Sequence, residues 1–183
     1  IDIPLQHIAD RQLSAMRRGI TKRGTEELIA RLRREVPGIA IRTTLLVGFP
    51  GESEEDFAEL TDFVERQRFE RLGVFPYSAE EGTPSAEMAD DVPEEVKQAR
   101  VERIMELQRN ISHEANVARI GRKLRVVVDR REGDYYVARS EYDSPEVDQE
   151  ILIPVAEGRL LPGEFRVVVV TACEEYDLYG RLA

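Results

Sequence analysis

The chain has 183 residues, 42% of them hydrophobic and 34% charged, which is enough apolar material for one domain or two small ones and excludes a disordered chain. No apolar run approaches the ~18–20 residues of a membrane span, and the one cysteine, Cys173, excludes a disulfide within the chain and any zinc or iron–sulfur site built from several of its own cysteines. The net charge of −10 disfavours binding to phosphate backbones and favours a basic partner.

The chain opens on Ile1-Asp2-Ile3-Pro4-Leu5-Gln6-His7, a short strand-like run. It has no basic start and no long apolar stretch, so it is not a signal peptide. With no initiator Met it reads as a cut through a larger, cytoplasmic protein. Asp10 is placed to cap a short helix through Met16, which Arg17-Arg18-Gly19 breaks. Thr25 is read as the start of a second helix with Leu28, Ile29, Leu32 and Val36 on one face, stopped by Pro37-Gly38. Ile39 to Val47 is rich in β-branched residues and predicts a strand. Gly48-Phe49-Pro50-Gly51-Glu52 predicts a tight turn, and Ser53 with Asp56 a capping box for a helix buried along Phe57, Leu60 and Val64. Leu72 to Phe75 is a third strand, and Tyr77 to Asp91 a long polar loop.

This order predicts a parallel α/β sheet, whose sites sit at the C-terminal ends of strands. Those ends carry Gln6-His7, Gly48 to Glu52 and Tyr77-Ser78. Pro93 suits the first turn of a long connecting helix, with Val96, Ala99, Ile104, Leu107 and Ile111 at helical spacing, running to about Arg119 before Gly121. From about Arg122 the pattern turns to alternation. Five short strands, at Leu124–Val128, Tyr135–Ala138, Ile151–Ile153, Phe165–Thr171 and Leu178–Leu182, predict a small OB-like barrel. Cys173 is expected as a buried strand residue. The domains are thus 1–119 and 120–183.

Three segments carry a family resemblance. They are Asp2 to His7 with Leu13, Met16 and Arg17-Arg18-Gly19; Arg42 to Glu52 with Asp56-Phe57; and Phe75-Pro76-Tyr77-Ser78 with Glu80-Glu81-Gly82-Thr83. In this order they resemble the later strands of the barrel in radical-SAM methylthiotransferases, and the closing barrel resembles the TRAM domain of that family. The resemblance covers essentially the whole chain. It implies an α/β fold: the C-terminal part of a TIM-like (β/α) radical-SAM partial barrel, then a small all-β, OB-like TRAM barrel. Glu80-Glu81-Gly82-Thr83 and the acidic stretch Asp143 to Asp148 resemble the ribosomal-protein branch.

Enzymes of this family bind two 4Fe-4S clusters, one of which cleaves S-adenosylmethionine to a radical that takes hydrogen from an unactivated carbon, where a methylthio group is installed. In the ribosomal-protein branch the implied target is the β-carbon of an aspartate in small-subunit ribosomal protein twelve. The cluster cysteines belong to the family's N-terminal half and are absent from this sequence, so the chain alone is expected to be inactive. The resemblance puts Gln6, Val47, Gly48, Phe49, Tyr77 and Ser78 at S-adenosylmethionine. Its substrate candidates are His7, Glu80, Glu81, Thr83, Asp143, Glu146 and Asp148, with no metal ligand and no catalytic residue assigned. Arg42, at a strand start, is read as structural, and only one of Thr43 and Thr44 faces inward.

An OB-like barrel that binds RNA offers a cationic groove with stacking aromatics. Tyr135, Tyr136, Tyr142, Tyr176 and Tyr179 are present, but residues 120–183 hold nine Lys and Arg against thirteen Asp and Glu. The expected partner is therefore a basic ribosomal protein, alone or on the ribosome, and not a membrane. Two alternatives remain: a tRNA methylthiotransferase, and a non-catalytic module that binds RNA or protein.

Overall fold

A computed structural model describes residues 1–145 and 147–183. The chain divides into two compact units, Ile1–Gln108 and Arg109–Ala183.

The first unit holds three parallel strands in the order β1 (Asp2–Gln6), β2 (Arg42–Val47), β3 (Arg71–Pro76). The β-branched and leucine residues of β2 alternate: Thr43, Leu45 and Val47 are buried, while Arg42, Thr44 and Leu46 are half-buried on the other face. Thr43 is thus the inward threonine, and its Oγ1 accepts from the Leu5 N–H at 3.5 Å. On the second face Leu46 pairs with Phe75, which is 60% exposed. Ile8, Leu13, Ile29, Leu60, Phe63, Val64, Phe69 and Ile104 are buried in this unit, with the rings of Phe63 and Phe69 at 5.6 Å.

Helix starts differ from the sequence reading in two places. Helix α1 (Asp10–Ala15) is preceded by Ala9 in the cap position. Asp10 lies inside the first turn, and its carboxylate accepts from the Lys22 N–H at 2.6 Å. Helix α2 (Lys22–Glu35) starts ahead of Thr25 because Thr21 is the cap, its side chain accepting from the Gly24 N–H. Thr25 is then an interior, buried residue, and Val36, past the helix end, is 49% exposed.

Helix α3 (Glu54–Gln67) has the expected capping box. Asp56 N–H donates to the Ser53 hydroxyl at 3.2 Å, and Ser53 N–H to the Asp56 carboxylate at 2.9 Å. Arg11 and Gln12 also donate to this carboxylate. Burial pushes the Asp56 carboxyl up, but the bonds from Arg11, Ser53 and Gln12 outweigh it and hold the pKa at about 2, below the usual 3.8. A depressed folded pKa contributes stability above the unfolded pKa, and that stability is lost as pH falls through the folded value. Asp56→Asn is expected to be less stable than wild type by about 2 kcal/mol near neutral pH. The gap should close as pH is lowered from about 4 to about 2 in urea titrations.

Helix α4 (Glu94–Val117) departs most from its predicted face. Ala99 is exposed, whereas Lys97, Arg100 and Gln108 are buried with Ile104. These polar groups have partners: Lys97 Nζ meets Asp90 at 2.7 Å, Arg100 meets Glu52 and Glu54, and Gln108 Nε2 donates to the Phe69 carbonyl at 2.9 Å.

The second unit is a closed barrel of β4 (Lys123–Glu132), β5 (Tyr135–Ser140), β6 (Ile151–Pro154), β7 (Phe165–Cys173) and β8 (Leu178–Leu182), in the order β4-β5-β6-β8-β7. The pairs are antiparallel except β6 with β8, which run parallel and close the barrel. Alternate residues Val126, Val128, Val168 and Val170 fill its core with Ile151, Ile153 and Leu178. Cys173 is half-buried at the margin of this core, a correction to its expected full burial. Asn116 at the end of α4 donates to the carbonyls of Glu175 and Tyr176 at 3.2 and 3.3 Å, and accepts from Gln149 at 2.7 Å.

Candidate functional site

A cleft of about 370 Å³ opens beside the C-terminal ends of β1 and β2. Gln6 and Leu46 come from the strands and Phe49 from the turn after β2. Met16, Arg17 and Arg18 follow α1, and Ser85 and Met88 come from the long loop after β3.

The turn Gly48 to Glu52 is held from several sides. Gly48 has φ 73°, which glycine adopts without strain. A Cβ there would also lie 2.3 Å from Cγ of Lys97. Gly48 N–H donates to the Glu52 carboxylate, and Glu52 N–H donates to the Phe49 carbonyl at 2.9 Å. Gly51 N–H donates to Asp91 at 2.7 Å, fastening the start of the helix-leading segment to the turn. Phe49 packs edge-on to Tyr77 at 5.1 Å, and the Tyr77 hydroxyl donates to the Ser85 carbonyl at 3.0 Å. Lys97 Nζ sits 5.4 Å from the centroid of the Tyr77 ring.

Beneath the turn lies a buried charged group. The Glu52 side chain has no exposed surface; its Oε1 is 3.5 Å from Nη1 of Arg100 and 3.8 Å from Nε2 of His7. His7 Nδ1 accepts from the Ala9 N–H at 3.0 Å. That leaves Nε2 as the ring nitrogen facing Glu52.

Of the residues expected at S-adenosylmethionine, Gln6 and Phe49 line the cleft. Val47 is buried, and its carbonyl accepts from the Tyr77 N–H at 2.8 Å. Gly48 spends its N–H on Glu52, Tyr77 is buried against Phe49, and Ser78 is exposed just past the strand. Among the substrate candidates, His7 is fully buried and offers no surface for direct contact. Glu80 and Glu81 are exposed, while Thr83 ties the loop, its hydroxyl donating to the Glu80 carbonyl at 2.7 Å. Met16, Arg17, Arg18, Ser85 and Met88 are cleft residues that the motif reading did not assign.

The acids of the barrel loop are not three free charges. Asp143 is buried and accepts from the Ser140 hydroxyl at 2.5 Å, and Asp148 accepts from the Ser144 N–H at 2.7 Å. Both carboxylates are engaged in the loop's own hydrogen bonds. Glu146 lies outside the described residues. The tyrosines do not form one platform either. Tyr135 and Tyr179 meet edge-on at 5.9 Å, and Tyr136 is buried in the floor of a second cleft of about 460 Å³ beside Arg131 and Arg159. Among the described residues no helix is long and apolar enough to cross a membrane, and no group of three or more His, Cys, Asp or Glu is placed to hold a metal ion.

Residues 120–183 match the TRAM domain family. Along its whole length the chain is 52% identical to the ribosomal protein uS12 methylthiotransferase RimO of Bacteroides thetaiotaomicron, covering 42% of that protein. It is 55% identical to the protein of the same name from Porphyromonas gingivalis and 50% identical to that from Flavobacterium psychrophilum, again covering 42% of each. The chain thus spans less than half the length of the curated relatives it matches. A solved structure of coproporphyrinogen III oxidase (HemN) from Escherichia coli, a radical SAM enzyme, overlaps 76% of the chain and 40% of its own at 14% identity; its TM-score of 0.47 is too low to bear on the fold.

Proposed function

We propose that this chain, 52% identical along its whole length to a uS12 methylthiotransferase of which it covers 42%, belongs to that family and forms the cleft-bearing portion of a radical-SAM enzyme that adds a methylthio group to the β-carbon of an aspartate in ribosomal protein uS12. The observation that carries this is the convergence of Gln6, Leu46 and Phe49 on one cleft at the ends of parallel strands, where α/β folds bind ligands. The ligand assigned to the cleft is S-adenosylmethionine. Gln6 offers two donors and an acceptor to its polar groups, and Leu46, Phe49, Met16 and Met88 offer apolar cover. Held there by Gln6 and the apolar cover, S-adenosylmethionine would supply, together with an iron–sulfur cluster, the chemistry that removes hydrogen from the substrate. This chain holds one cysteine, so at most one thiolate for a cluster comes from it. The two 4Fe-4S clusters are assigned to the part of the relatives' length that it does not span.

The chain's own residues bind, position and exclude water. Glu52 accepts the Gly48 N–H and is flanked by Arg100 and His7, which fixes the turn carrying Phe49. His7 is thus a positioning residue. Exposed Glu80 and Glu81 stand on the loop that reaches Ser85 at the cleft and are assigned to substrate contact. With a net charge of −10 the chain attracts a basic ribosomal protein in the cytoplasm and repels tRNA phosphates.

The test is binding of the chain to isolated uS12 and to a tRNA at low and high salt. Salt-sensitive binding to uS12, with none to tRNA, is expected. Binding to tRNA alone would replace this reading by the tRNA branch.

A further inference from the structure

The cleft of about 460 Å³ in the second unit is lined by the core residues Tyr136 and Leu160, so it opens onto the barrel core and forms the barrel's mouth. The bulge in β4 decides what stands there. Val128 pairs with Ala138, and both face the core. By alternation Arg130 would come next on the inner face. The ladder slips between Val128 and Arg130, and Arg131 pairs with Tyr136 instead. Residues directly opposite in an antiparallel pair share a face. The bulge therefore turns Arg131 toward the mouth and Arg130 outward, where it meets Glu132 and Glu150. Bulges at barrel rims re-aim side chains in this way. The other wall is the connector between β6 and β7, which brings Val155, Arg159 and Leu160 to the cleft. It is fastened in place: Val155 N–H donates to the Asp134 carbonyl at 2.9 Å, and Gly163 N–H to the Val128 carbonyl at 2.8 Å.

Acids outnumber basic residues in this unit, yet the charged residues lining the mouth are Arg131 and Arg159, with no carboxylate among the lining. The glutamates of the same segments are engaged elsewhere: Glu132 with Arg130, Glu157 with the Leu182 N–H, Glu164 with Arg166. Arg159 is exposed and makes no hydrogen bond or ion pair with any described residue. Arg131 donates from Nε to the Gly133 carbonyl at 3.4 Å and has no ion pair among the described residues. Tyr136 is a second, independent sign of a ligand. It is 6% exposed and lines the cleft, and its hydroxyl has no hydrogen-bond partner among the described residues, although a buried tyrosine usually finds one.

We propose that the mouth of the barrel binds a carboxylate carried on an aliphatic body. The guanidinium groups of Arg131 and Arg159 match a carboxylate, which a guanidinium grips with two parallel bonds, and the Tyr136 hydroxyl supplies a further donor. Val155 and Leu160 give the aliphatic part a floor continuous with the barrel core. Mainly apolar clefts with a few convergent polar groups, at the mouths of β-barrels among other places, are where small ligands bind. A nucleic-acid strand fits less well. It needs a track of cations along its phosphates, and this mouth offers two in a chain of net charge −10. The same ligand chemistry comes from two sources, the C-terminal residue of a protein chain and a free aliphatic acid.

The whole chain is titrated with an acetylated tripeptide ending in leucine and with isocaproate, each beside its neutral carboxamide. Binding is read from the backbone amide shifts of Arg131, Tyr136, Arg159 and Leu160. Both acids are expected to shift these residues, and the carboxamides to bind at least about tenfold more weakly, the loss of a charge-assisted contact. A peptide that binds more tightly than isocaproate assigns a chain terminus; parity or the reverse order assigns a free acid. Arg159→Gln changes an exposed residue without a partner, so it should keep the wild-type melting temperature and weaken both acids by at least about tenfold. Arg131→Gln is expected to do the same, and Tyr136→Phe, which keeps the ring in the core, to weaken them less. Acids that leave these residues unshifted, carboxamides that bind as tightly as the acids, or R159Q and R131Q that bind as tightly as wild type overturn the proposal. Inorganic phosphate or a uridine dodecamer that shifts these residues where the acids do not overturns it in favour of a phosphate site.

Discussion

Glu52→Ala is expected to destabilise the first unit by about 3–5 kcal/mol, the cost of breaking a buried ion pair by removing one partner. The Glu52 side chain is wholly buried and its partner Arg100 is 5% exposed. Without the carboxylate, the counter-charge left to Arg100 is Glu54, which is 78% exposed and so a weak one. Gly48 loses the acceptor of a buried N–H, a further desolvation cost. Glu52→Gln separates the two effects. An amide oxygen still accepts from Gly48 but brings no charge to Arg100, so its loss should be smaller. Urea titrations of both variants read this directly. A Glu52→Ala chain as stable as wild type would mean that the buried cluster contributes nothing.

Gly48→Ala is the second large effect. Two independent costs add: a left-handed backbone at a residue with a Cβ, of order 1–3 kcal/mol, and overpacking, typically about 1–3 kcal/mol. The overpacking arises because the new Cβ meets Lys97 Cγ at 2.3 Å, and the Lys97 stem is buried, with its side chain 4% exposed and tied to Asp90. The total expected is about 2–6 kcal/mol. A double-mutant cycle with Lys97→Ala divides it. In that background the clash is gone and the backbone cost remains, so Gly48→Ala should become milder. An unchanged cost would place the whole effect in the backbone.

Much of the scaffold was legible because local chemistry and tertiary structure agree. The β-branched run of β2, the turn at Gly48 and the Ser53–Asp56 box each state their structure within a few residues, and the alternation after Arg122 announces the barrel strands. Other features were set by distant partners. Thr21 and Thr25 are both plausible starts for α2, and only the hydrogen bond from Gly24 decides between them. Lys97 and Arg100 look like a solvated face until Asp90 and Glu52 are brought to them. The parallel closure of β6 on β8 leaves no local mark. The cleft was half legible: Gln6 and Phe49 stand in recognisable motifs at strand ends. Arg17 was read as a helix breaker, because a left-handed arginine follows from the capping bonds to Leu13 and Ser14 and not from residue type.

The most direct test of the account is a map of backbone amide shifts in the nuclear magnetic resonance spectrum as the chain is titrated with S-adenosylmethionine. The account predicts that the shifts concentrate at Gln6, Met16, Arg17, Leu46, Phe49 and Ser85. Shifts confined to the barrel cleft around Arg131 and Arg159 would contradict it.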